Sequence, residues 1–201
     1  MNRPLRLLAL AGSTRRHSYN KTLVRLAAGG AAGAGAEVRF IDLADYPMPL
    51  FDEDLEAKRG LPESVTALRE RLLDHHGFLL ASPEYNGSLT AVLKNALDWL
   101  SRPHPDGRSP FADKVAALLS ASPGGLGGLR GLDHARAILT NLGVLVLPRQ
   151  FALPAAHEAF TKDGRLKDPA RQEAVAALGA ELVQRTRALR PSFRPESRSA
   201  A

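Results

Sequence analysis

Nine consecutive residues, Gly12-Ser13-Thr14-Arg15-Arg16-His17-Ser18-Tyr19-Asn20, gather hydroxyls, guanidinium groups and an amide between an apolar run and an amphipathic one. A phosphate set at such a junction meets free backbone N–H groups, the positive end of a helix dipole and charge-assisted bonds from Arg15. Singly, Ser18 reads as a helix cap and Arg15 as a solvated cation; Ser13, Arg15, Ser18 and Asn20 together favour an anion. The loop lacks the Gly-Lys-Ser/Thr of a Walker site, and Gly12 is its only glycine, which excludes the dinucleotide fingerprint. A second stretch, Ser122-Pro-Gly-Gly-Leu-Gly-Gly-Leu-Arg-Gly131, also falls out of register with that fingerprint, and its glycines suit the approach of backbone to a flat ring or room for another ring to stack. A third, Pro83-Glu84-Tyr85-Asn86-Gly87, is rich in turn formers; Tyr85 as ordinary packing and Asn86-Gly87 as a plain turn stay open beside a binding role.

These loops need strands and helices to carry them. Leu5 to Ala11 is apolar except for Arg6 and predicts a strand covered on both faces. A helix is expected from Ser18 to about Gly30, stopped by Gly29-Gly30, and a second strand at Glu37 to Asp42. The prolines of Tyr46-Pro-Met-Pro-Leu-Phe-Asp-Glu-Asp54 argue against regular structure before a helix from Pro62 to Leu73. A third strand follows at Gly77 to Ser82, a helix from about Ser88 to Leu100, a fourth strand at Lys114 to Ser120, a helix from Leu132 to Leu142, a fifth strand at Gly143 to Leu147 and a last helix from about Pro169 to Ala188. Alternation of strand and helix predicts one α/β domain, a doubly wound parallel sheet over residues 1–189 with right-handed crossovers, and a disordered basic tail at 190–201. In such a sheet the ligand lies beyond the carboxyl ends of the strands, where the three unusual loops fall.

Composition narrows the chemistry. Without cysteine there is no disulfide, thiolate nucleophile or Cys-type metal site, so redox work requires a bound cofactor. The formal charge of +6 is concentrated near the end, where Arg187, Arg190, Arg194 and Arg198 face only Glu196. The folded body is close to balanced, so no nucleic-acid partner is expected. No apolar run of membrane-spanning length and no cleavable leader is seen, giving the expectation of a cytoplasmic protein with no membrane partner. The six histidines, His17, His75, His76, His104, His134 and His157, show no metal-ligand spacing, and there is no Gly-x-Ser-x-Gly elbow. Trp99 is expected in the core or at a subunit interface, and Asp98 at the surface or as a cap.

Taken in order, Gly12-Ser-Thr-Arg-x-x-Ser-x-Asn20, Pro83-Glu-Tyr-Asn-Gly-Ser88 and Leu93-Lys-Asn-Ala-Leu-Asp-Trp99 resemble the NADPH-dependent FMN reductase family, which includes bacterial quinone, chromate and azo-dye reductases. The similarity spans about Leu5 to Leu147. It implies a flavodoxin-like fold with strand order 2-1-3-4-5, FMN as cofactor and NADPH or NADH as cosubstrate. It implies that Ser13, Arg15, Ser18 and Asn20 hold the FMN phosphate and that Pro83, Glu84, Tyr85, Asn86 and Gly87 line the isoalloxazine. Ser122, Gly124 and Gly125 would flank the other end of the flavin. The electron acceptor would be a small molecule: a quinone, an azo compound, a metal oxyanion or free flavin. No side chain is assigned as catalytic acid or base. The resemblance further implies a homodimer or homotetramer, with Glu84 and Arg130 near a subunit boundary. Thr90-Ala91 departs from the proline-containing turn of many relatives and leaves the pocket's shape open. A flavodoxin-type electron carrier is the alternative, disfavoured by the basic chain and by Arg15 in the phosphate loop.

Overall fold

The computed structural model describes residues 4–104 and 106–190. Five parallel strands run β1 (Leu5–Ala11), β2 (Ala36–Asp42), β3 (Gly77–Ala81), β6 (Val115–Ala121) and β7 (Leu145–Leu153), in the order β2-β1-β3-β6-β7. Counting only these strands, the order is 2-1-3-4-5, and the fold is the flavodoxin-like α/β fold. β1, β3 and β6 are central and buried along nearly their whole length, which explains their continuous apolar runs. A separate antiparallel hairpin, β4 (Glu84–Tyr85) with β5 (Ser88–Leu89), stands after β3.

Helices cover both faces. α1 (Tyr19–Gly33) and α7 (Pro169–Leu189) pack on one, where Leu7, Ala9, Leu23, Val24, Leu178 and Leu182 form the core. On the other lie α3 (Glu63–Leu73), α4 (Ala91–Leu100) and α5 (Leu129–Asn141), with Leu8, Leu68, Leu80, Leu97, Trp99 and Leu132 between them. Two short α-helices, α2 (Glu53–Arg59) and α6 (Ala156–Ala159), and a 3-10 turn at Leu43–Asp45 complete the order.

Several boundaries differ from those expected, each for a local reason. α1 does not stop at Gly29-Gly30: Gly30 meets the backbone of Ala176, and Gly179 of α7 meets that of Ala27, so these glycines let two helices approach closely. α2 forms despite the prolines before it because the Asp52 carboxylate caps it, accepting from the N–H groups of Asp54 and Leu55. The residues expected to open α4 at Ser88 form β5 instead. α5 starts at Leu129, earlier than expected, because Gly128 takes a left-handed turn (φ 90°) immediately before it. β7 continues past Pro148, since it is an edge strand with a register shift against β6 between Ala116 and Leu118, and Arg136 braces that irregularity by donating to the Leu147 carbonyl at 2.8 Å. The expected tail lies outside the described residues except for Arg190, which donates to the Asp113 carbonyl at 2.6 Å. No helix among the described residues is long and apolar enough to cross a membrane.

Candidate functional site

Parallel pairing brings the carboxyl ends of β1, β3 and β6 to one edge of the molecule, and the three loops leave from that edge. Cross-bonds hold them together. Gly12 donates its N–H to the Ala81 carbonyl at 2.9 Å, and its own carbonyl accepts from the Thr90 hydroxyl at 2.6 Å. Thr90 is also the N-cap of α4, accepting from the Leu93 N–H at 3.2 Å. A Cβ on Gly12 would lie 2.8 Å from Leu93, so only glycine lets the first loop rest on α4.

In that loop Ser13 is buried and its hydroxyl accepts from the Arg15 N–H at 3.2 Å, folding the chain back on itself. Ser18, also buried, is the N-cap of α1, yet its side chain makes no capping bond, and the first turn of α1 contains no acidic residue. The N–H groups of that turn have no helical partners. The uncommitted Ser18 hydroxyl, orphan amides and the exposed Arg15 together present donors with no acceptor among the described residues, which is what a phosphate requires. Asn20 has a structural task as well: its amide donates to the Ala121 carbonyl at 2.8 Å and accepts from the Ala121 N–H at 3.0 Å, so its side chain clips α1 to β6 and keeps its second amide N–H in reserve.

Asn86 (φ 51°) and Gly87 (φ 77°) are both left-handed and make the two-residue turn of the β4–β5 hairpin, so the plain-turn reading describes their backbone. Their turn leaves Tyr85 54% exposed, while Pro83 is buried. Glu84 faces away from the turn: its carboxylate meets Arg130 at 2.6 Å and accepts from the Gly131 N–H at 3.2 Å. Burial alone would raise the Glu84 carboxyl, but the Arg130 guanidinium and the N–H groups at the start of α5 bring it below the ordinary carboxylate value. The Glu84–Arg130 pair expected near a subunit boundary closes within one chain.

After β6, the Ser122 hydroxyl accepts from the Gly124 N–H at 3.2 Å. The glycines of this loop divide into two kinds. Gly127 and Gly128 are left-handed, and a Cβ on them would reach within 2.6 Å of the Leu153 backbone and 2.9 Å of Ser120, respectively. Gly124 and Gly125 have no such constraint; a Cβ on Gly125 would meet nothing within 4 Å. A Cβ on Gly124 would meet only the Ser122 hydroxyl, at 3.6 Å, so neither position is held to glycine by crowding.

Other supporting residues lay beyond the sequence reading. Asn95 accepts from the Phe51 N–H at 2.8 Å and, with the Trp99 indole, donates to the Pro49 carbonyl, also at 2.8 Å. These bonds give the Lys-Asn-Ala-Leu-Asp-Trp run a task, anchoring the loop that follows β2. Between that loop, Thr14 and α4 is a cleft of about 300 Å³. Trp99 is fully buried against Phe51, and Asp98 pairs at the surface with Lys94. Among the described residues no cluster of three or more potential metal ligands occurs.

Residues 5–158 match the model of the NADPH-dependent FMN reductase family. An NAD(P)H-dependent FMN reductase of Pseudomonas aeruginosa is 37% identical over 87% of this chain and 91% of its own length. An NADPH:quinone oxidoreductase of Arabidopsis thaliana is 38% identical over 84% of this chain and 85% of its own. Among solved structures, the flavoenzyme NAD(P)H:(acceptor) oxidoreductase FerB from Paracoccus denitrificans superposes with a TM-score of 0.75 at 27% identity, over 92% of this chain and 98% of that one. These relatives are reductases, which favours the enzyme over the electron carrier. With the strand order, the anion-ready loop and the uncrowded glycine loop in agreement, the chain belongs to the NADPH-dependent FMN reductase family of flavodoxin-like, FMN- and NAD(P)H-dependent oxidoreductases.

Proposed function

We propose that the enzyme reduces quinones at the expense of NAD(P)H, at the edge where the three loops meet. The observation that carries the placement is the first turn of α1, with a cap hydroxyl, Ser18, that caps nothing, and no acid to compete with a bound anion. Ser13, Arg15, Ser18 and the second amide N–H of Asn20, with the first-turn N–H groups, hold the FMN phosphate. Pro83, Glu84, Tyr85, Asn86 and Gly87 line the ring, Glu84 through its backbone; Ser122, Gly124 and Gly125 flank its far end. FMN supplies hydride acceptance and donation when bound. The protein's part is to place the two substrates in turn against one ring face and to fix dipoles where negative charge develops. Asn20 and Thr90 act beneath the site, fixing the phosphate loop to β6 and α4.

A cytoplasmic setting, where NAD(P)H is abundant, accords with this reading, and so does assembly as a homodimer or homotetramer. Azo compounds, metal oxyanions and free flavin fit the same open site as further acceptors. Initial rates measured over a grid of NADPH and quinone concentrations test the proposal. Parallel double-reciprocal lines are expected, because one substrate must leave before the other enters. Intersecting lines, or no quinone-dependent NADPH oxidation, would overturn it.

A further inference from the structure

Beside the ring-lining segment, an open cavity of about 650 Å³ lies between the β4–β5 hairpin, α4 and α5, bounded by Tyr85, Asn86, Ser88, Lys94, His134 and Ile138. The volume suits a quinone of one or two rings. Its ionisable groups are differently committed. Lys94 is bound to both oxygens of Asp98, at 2.7 and 2.9 Å. His134 is held through Nδ1, 2.8 Å from the Ser88 hydroxyl, and its Nε2 has no hydrogen-bond partner among the described residues. Ser88 itself is fixed by pairing opposite Tyr85 in the hairpin. A positioned imidazole with one nitrogen to spare therefore borders the same cavity as Tyr85 and Asn86.

A quinone becomes a hydroquinone by gaining a hydride, which the flavin supplies when reduced by NAD(P)H, and one proton. We propose that this cavity is the quinone pocket and that His134 is its proton donor, an inference that rests on the quinone-reductase reading. The imidazolium Nε2–H bond breaks as an O–H bond forms on the quinone oxygen, while the hydride adds the electron pair at the conjugated carbonyl system. Solvent then reprotonates the imidazole. The sum is NAD(P)H, a proton and quinone giving NAD(P)⁺ and hydroquinone.

The test compares the wild-type holoenzyme with His134→Gln, using 1,4-benzoquinone and ferricyanide as acceptors; ferricyanide takes electrons without a proton. Quinone turnover should fall about 100-fold in the variant. The loss should be confined to quinone and partly reversed by added imidazole. In ¹⁵N-histidine spectra of the wild type, the resonance missing from the variant should shift on titration with 1,4-benzohydroquinone. An unmoved resonance, unchanged quinone turnover or equal losses with both acceptors would overturn the assignment, as would a change in sedimentation that assigned this face to contact between copies. Wild type inactive with quinone would instead remove the reading on which the proposal rests.

Discussion

Asn20 spends both ends of its amide on the Ala121 peptide, so it sets how α1 stands against β6 and thereby where the phosphate loop opens. Asn20→Ala leaves a buried N–H and a buried carbonyl unpaired and should lower the unfolding free energy by about 2–3 kcal/mol, measured by urea denaturation of the apoprotein. Arg15 has the opposite character, exposed and with its guanidinium in no ion pair or hydrogen bond among the described residues, and Arg15→Ala should leave that stability within about 0.5 kcal/mol. Its FMN affinity, by fluorescence titration, should weaken by about 1.5–3 kcal/mol; unchanged affinity would contradict the phosphate assignment. Residue types and spacing mark Ser13, Arg15, Ser18 and Asn20 as one polar group beside a helix start. They do not reveal that the Asn20 amide also clips two backbone groups of Ala121, because that contact spans 101 residues. Thr90 looked like a departure at a helix entry; its bond to the Gly12 carbonyl spans 78 residues and leaves no local trace.

At the scale of elements, the apolar runs of β1, β3 and β6 and the stripes of α3 and α4 were readable because burial on both faces of a strand and one face of a helix leaves different periods. Glycine was the weak point. Gly29-Gly30 reads as a helix stop, yet α1 passes through it because the partner glycine, Gly179, lies in α7, far away in sequence. Gly30→Val should collide with the Ala176 backbone and destabilise the fold by at least about 3 kcal/mol, whereas Gly29→Ala, which meets nothing within 4 Å, should stabilise α1 by about 0.5–1 kcal/mol. Thermal unfolding of the two variants separates close helix packing from a helix stop. The β4–β5 hairpin was missed for a related reason: two-residue strands carry too little alternation to register, although Asn86-Gly87 is a strong hairpin turn.

Over the whole molecule, the two ends of the sheet have different tasks. The carboxyl ends hold the three loops; the opposite end buries His75 and Lys114 and half-buries His76, near Arg6 and Arg190. Burial, reinforced by the neighbouring Arg190, Arg6 and Lys114 charges, lowers His76 from 6.5 to about 4, and burial with Arg190 lowers Lys114 from 10.5 to about 8. In both cases the unfolded chain binds more protons between the two values, so stability rises with pH across each window and falls as acid is added from pH 6.5 towards 4. Urea midpoints over that acid range should decline, and His76→Gln should flatten the decline. This end of the sheet was opaque in the sequence, where adjacent His75-His76 indicated only that no metal spacing was present. The central claim concerns the other end, that one FMN held by the three loops takes electrons from NAD(P)H and gives them to a quinone. An anaerobic spectrophotometric titration of the FMN-loaded protein tests it most directly. One equivalent of NADPH should bleach the flavin and one equivalent of benzoquinone should restore it; a flavin that stays oxidised with NADPH and bleaches only with dithionite would contradict the account.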